Sequence, residues 1–122
     1  MHRVVHFEFS SPDPDRASAF YRDLFGWEIQ KWEGPAEYWL VNSASQGETG
    51  IDGGFMRSRD DSARTIVTID VDSVDDMLGK VQAAGGTIAL PKQTIPGVGY
   101  QAYCTDPDGT IFGVHQRDPS AV

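Results

Sequence analysis

"VVHFEFSSPDPDRASAFYRDLFGWEI", residues 4–29, changes periodicity twice, and those changes decide the fold. Val5, Phe7 and Phe9 alternate with His6, Glu8 and Ser10, the period of a strand whose successive side chains face opposite sides of a sheet. Asp13 or Asp15 can accept from the first N–H groups of a helix, and Pro14 suits its first turn. Ala17, Phe20, Tyr21, Leu24 and Phe25 then recur at helical spacing, which predicts one buried apolar stripe ending at Gly26 before a new strand begins.

The same pattern returns in "TIVTIDVDSVDDMLGKVQAAGGTIA", residues 65–89, so the chain is a duplicated unit. At an offset of sixty positions His6 falls on Ile66, Phe7 on Val67 and Gly26 on Gly86. Val67, Ile69 and Val71 form the strand face, Ser73 is the helix cap, and Val74, Met77, Leu78 and Val81 are the stripe. Only strands follow in each half. They are "WEIQKW", "EYWLVNS" and "GGFMRS" in the first, and "GTIAL", "YQAYCT" and "TIFGVH" in the second. The reading is α+β: two βαβββ modules, about residues 3–57 and 64–117, in one domain spanning 1–122. Packing the helices against Phe7/Phe9 and Val67/Ile69 leaves the opposite faces to form a curved sheet around a central cleft.

The strand "VVHFEF", the helix end "FYRDLFGWEI", the stop "AAGG", and the stretches "IPGVGYQAY" and "DPDGTIFGV" together resemble the vicinal oxygen chelate superfamily, which includes glyoxalase I, bleomycin-resistance proteins and extradiol dioxygenases. The resemblance runs from about Val4 to Gln116. It implies paired modules around a cavity, with metal ligands on the first and last strand of each. Carried over, the first-strand histidine matches His6, its partner matches Ile66, and the last-strand glutamate matches Gly113. The corresponding place in the first half falls near Gly53 to Phe55. One of four positions keeps a donor, whereas a catalytic zinc, nickel or iron centre needs about three protein ligands. The resemblance therefore implies a cleft without the inherited metal. A divalent ion on a rebuilt His6, Glu8, His115 set, in a glyoxalase-like lyase or isomerase, is the alternative.

Strand parity selects the residues of the cleft face. His6 and Glu8 are the expected polar ligand contacts, with Thr68, Asp70 and His115 beside them, and Tyr100 is expected as the contact residue of a cleft-edge loop. A histidine titrating near neutral pH, tuned by a carboxylate, suits ligand orientation or proton transfer. Trp27, Trp32, Tyr38, Trp39, Tyr100 and Tyr103 supply rings to a pocket whose ligand is a small apolar or aromatic molecule. "IPGVGYQ", residues 95–101, is expected as a loop at the cleft edge.

Other chemistries are poorly served. Eighteen acidic against ten basic residues give a net charge of −8, which opposes binding to nucleic acid or to an anionic membrane surface. Cys104 stands alone in an apolar strand and reads as a small buried hydrophobe. "GIDGG" and "GVG" precede no helix and so lack the usual attraction for phosphate. The acidic groups "RDDS" and "DVDSVDD" lack the ligand order of a calcium loop. A soluble cytoplasmic protein is expected, and a homodimer is expected because each module leaves a sheet edge to cover.

Overall fold

A computed structural model describes residues 1–43 and 48–122. Its elements follow the order β1 (Val4–Ser11), α1 (Pro14–Phe25), β2 (Glu28–Lys31), β3 (Trp39–Asn42), β4 (Asp52–Arg57), β5 (Arg64–Asp70), α2 (Val74–Ala83), β6 (Thr87–Ile95), β7 (Gly99–Thr105) and β8 (Ile111–Arg117). This is the βαβββ pattern twice over. The chain divides into two compact units, residues 6–66 and residues 67–122 with 1–5.

In the N-terminal unit the strands run in the order β2-β3-β4-β1. β1 and β4 are parallel, with His6 opposite Asp52 and Glu8 opposite Gly54. β3 is antiparallel to both β2 and β4. Asp13 caps α1 by accepting from Arg16 N–H at 3.1 Å, and Pro14 opens the helix. Gly26 ends it at φ 72°, a left-handed conformation that costs a glycine little, and its N–H reaches Arg22 O at 2.9 Å.

The buried side of α1 differs from the expected stripe. Phe20, Leu24 and Phe25 are 58, 60 and 59% exposed, whereas Pro14 and Ser18 are buried. Pro14, Ala17, Ser18 and Tyr21 recur at i, i+3, i+4 and i+7, and this face, not the one through Phe20 and Leu24, meets the sheet. Ala17 and Tyr21 pack with Phe7, Phe9, Trp27 and Ile29 on a core of Trp39, Val41 and Phe55. Tyr21 stacks on Trp27 with centroids 5.1 Å apart and planes 9° off parallel. Such aromatic pairs add about 0.5–1.5 kcal/mol to the burial itself.

The C-terminal unit repeats the plan with the order β5-β8-β7-β6. Thr68 lies opposite Gly113 and Asp70 opposite His115 on the parallel pair β5/β8. Ser73 Oγ accepts from Asp76 N–H at 3.1 Å, and Gln116 Oε1 accepts from Val74 N–H at 3.0 Å, so both caps satisfy α2. Val71, Val74, Ala102 and Val114 form the core, joined by Met77, Leu78, Tyr100 and Phe112. Cys104 is fully buried, and that burial raises its thiol pKa. Of the stretch 95–101, only residues 96–98 lie outside strands, as a tight turn between β6 and β7. Val98 N–H bonds Ile95 O, and the C-terminal tail fastens it through Gly97 N–H to Ala121 O.

Candidate functional site

The faces turned away from the helices carry His6 and Glu8 in one unit and Thr68, Asp70 and His115 in the other. In the N-terminal unit, strand pairing arranges that face in rows. Glu28 pairs with Asn42, Asp52 with His6, Gln30 with Leu40, Leu40 with Gly54, and Gly54 with Glu8. Glu8 is 2% exposed and Ser10 is also buried, so this polar face is more enclosed than neighbouring Phe7 and Phe9.

Tyr38, immediately before β3, crosses this face. Its Oη lies 2.9 Å from His6 Nε2. A Cβ added at Gly54 would overlap the hydroxyl end of the Tyr38 side chain. Gly54, the register partner of Glu8, is therefore a glycine because the tyrosine takes that space.

The C-terminal unit makes the same substitution with other residues. Gly113 is the register partner of Thr68, and a Cβ there would stand 2.6 Å from Thr68 Oγ1 and 2.7 Å from Gln101 Nε2. Gln101 donates from Nε2 to Thr68 Oγ1 at 3.3 Å, and its Oε1 lies 2.9 Å from His115 Nδ1. Thr68 is 1% exposed, and His115 is half-buried, which lowers its pKa by penalising the imidazolium. Asp70, opposite His115, accepts from Arg3 N–H at 2.5 Å through Oδ1.

Thus His6 and Glu8 share one face in the N-terminal unit, and Thr68, Asp70 and His115 share one face in the C-terminal unit. Tyr100 is placed differently. It packs against the α2 core, with Lys92 Nζ 5.1 Å from its ring centroid. Sequence reasoning missed Gln101 as a partner of His115, Tyr38 as the partner of His6, and Asp52 as its register neighbour. The signal for Gln101 and Asp52 was their strand parity.

The N-terminal unit also holds a cavity of about 740 Å³ where β2 begins, β3 ends and β4 begins. Trp27, Ile29, Leu40 and Val41 give it an apolar wall, and Arg22, Glu28, Gln30, Asn42 and Asp52 give it polar groups. His6 is not among its lining residues but stands opposite Asp52, which is.

Residues 3–114 match the profile of the Glyoxalase/Bleomycin resistance protein/Dioxygenase superfamily. The chain belongs to that superfamily. Among curated proteins it is 26% identical to the anthracycline biosynthesis protein DnrV of Streptomyces peucetius, over 91% of this chain and 46% of that protein. The chain thus spans about half the length of that relative. Among solved structures it resembles the Mn(II)-bound glyoxalase from Novosphingobium aromaticivorans (26% identity, TM-score 0.67, 99% of this chain and 41% of that one). It also resembles a methylmalonyl-CoA epimerase in complex with methylmalonyl-CoA and NH4+ (11% identity, TM-score 0.73, 99% and 98%), a likeness of fold alone.

Metal use is known in the superfamily, as the manganese-bound glyoxalase attests. The donor set of this chain does not fit such an ion. Gly54 and Gly113 bring no donor, and the volume a ligand would enter is filled by Tyr38 in one unit and by Thr68 and Gln101 in the other. Among the described residues, no three or more His, Cys, Asp or Glu side chains gather where they could hold an ion. Nor, among those residues, is any helix long and apolar enough to cross a membrane.

Proposed function

We propose that this glyoxalase/bleomycin-resistance-like protein binds a small apolar or aromatic molecule without using the superfamily's metal. The observation that carries this reading is the 740 Å³ cavity, whose size lies within the range of sites for drug-sized ligands, roughly 300–1,000 Å³. Leu40 on one sheet face, and Trp27, Ile29 and Val41 from the edge of the α1 core, give it apolar surface, while Asn42, Gln30 and Asp52 can orient polar substituents. His6 and Glu8 are the further contacts proposed beyond Asp52 in this unit; Thr68, Asp70 and His115 are proposed as ligand contacts on the C-terminal unit's own face. The similarity to a protein named for anthracycline biosynthesis supports a polycyclic aromatic ligand.

The reading includes a cytoplasmic homodimer. The support for the dimer is the sheet edge that each module leaves to be covered. The competing reading, a metal-dependent lyase or isomerase, is favoured by the 26% identity to a manganese-bound glyoxalase.

Chemical-shift mapping of the ¹⁵N-labelled chain against a panel of naphthols and anthraquinones tests the proposal. Shifts centred on Trp27, Asn42 and Gly53, with affinity lowered at least about tenfold by Asn42→Trp, are expected from filling an exposed part of the lining. Binding that leaves those resonances unmoved, or that ignores Asn42→Trp, rejects the cavity as the site.

A further inference from the structure

We propose that Gln101 is a positioning residue: it fixes His115 with the ring proton on Nδ1, so that Nε2 accepts a hydrogen bond from a neutral phenolic or enolic hydroxyl of the ligand. The geometry is specific. Gln101 Oε1 lies 2.9 Å from His115 Nδ1, and an amide oxygen only accepts, so Nδ1 must be the donor. At its other end the amide Nε2 donates to the buried Thr68 Oγ1 at 3.3 Å. Gly113 leaves the room for this arrangement, since a Cβ there would stand 2.7 Å from Gln101 Nε2.

Because burial keeps the imidazole from charging, a neutral ring protonated on Nδ1 presents a lone pair on Nε2. From β5, Asp70 stands opposite His115, and Arg3 N–H holds its Oδ1. Along β8, Arg117 follows two residues on, and β7 contributes the uncharged Gln101 opposite. Whatever the balance of Asp70 and Arg117, an Nε2 lone pair has no proton to give an anion but accepts readily from an O–H.

The ligand half of this inference rests on the proposed function, whereas the tautomer half stands independently of it. The experiment is long-range ¹H–¹⁵N correlation of the histidine rings in the full-length ¹⁵N-labelled chain, with 2-naphthol and 2-naphthoate as matched probes. The expected wild-type signal is a His115 ring protonated on Nδ1. Gln101→Leu removes the preference, and Gln101→Glu, whose carboxylate also accepts from Nδ1, restores it. An Nε2-protonated wild-type ring overturns the role of Gln101, and this reading alone decides the matter should Gln101→Leu fail to fold.

For the ligand, 2-naphthol is expected to bind about tenfold more tightly than 2-naphthoate and to shift the His115 Nε2 resonance, with His115→Ala abolishing the discrimination. Tighter binding of naphthoate, or of neither probe, refutes the hydroxyl contact. Naphthol shifts confined to the cavity around Trp27 refute it too, while leaving the proposed function standing.

Discussion

Tyr38 and Gln101 hold corresponding places in the two units: each leans over a glycine on the neighbouring strand and makes a hydrogen bond with a histidine. Tyr38 covers Gly54 and meets His6, and Gln101 covers Gly113 and meets His115. The glycines lie at the last-strand positions where metal-using relatives are expected to present a ligand. The duplicated fold has been filled twice, by different side chains, at the same point.

The fit at Gly113 makes side-chain growth there costly. Gly113→Ala should destabilise the chain by about 1–3 kcal/mol, the usual range for overpacking, because the buried Thr68 Oγ1 cannot swing away as a surface group would. Urea denaturation measures it. Adding Gln101→Ser should recover part of the loss by vacating one of the two contacts.

At the corresponding place in the N-terminal unit, Tyr38→Phe keeps the ring over Gly54 but removes the hydroxyl bonded to His6. A loss of about 1 kcal/mol is expected in the same assay, the net worth of one hydrogen bond. Tyr38→Ala should cost more, since it also opens the space above Gly54.

Much of this architecture was legible from one sequence. Period-2 runs and 3.6-residue stripes located the strands and helices, and Asp13 and Ser73 were readable as caps by residue type and place. Parity put His6 with Glu8, and Thr68 with Asp70 and His115. The buried side of α1, through positions 14, 17, 18 and 21, was hidden because polar Ser18 breaks its apolar count, while Phe20, Leu24 and Phe25 stay exposed. The pairs Tyr38–His6 and Gln101–His115 were hidden because they depend on strand register, which turn geometry fixes and which spacing along the chain does not reveal. Tyr100 was drawn to the site as an aromatic near glycines, yet register with Gln116 places it on the α2 side.

The caps yield a paired prediction. Asp13→Ala and Ser73→Ala should each cost about 1 kcal/mol by thermal or chemical unfolding, with Ser73→Ala the milder because Gln116 still serves Val74 N–H. Equal and negligible effects would mean that the helix starts are held by packing alone.

His115 gives the fold a pH dependence of definite sign. Its pKa is lowered in the folded chain from the ordinary 6.5 by desolvation, so the unfolded chain binds the proton more readily. The contribution to stability is full above the unfolded value and is lost as pH falls through the lower folded value. Urea midpoints measured from pH 8 down to about 4.5 should therefore drop less in His115→Gln than in the wild type over that window. An identical drop in both would show that the imidazole charges freely in the folded state.

Elemental analysis tests most directly the claim that filled glycine positions have replaced the superfamily's metal centre. The full-length chain is expressed with added zinc, nickel, manganese and iron, passed through gel filtration and measured by inductively coupled plasma mass spectrometry. Less than about 0.1 equivalent of any of these metals is expected. About one equivalent retained through the column would contradict the claim and return the chain to the metal-dependent members of its superfamily.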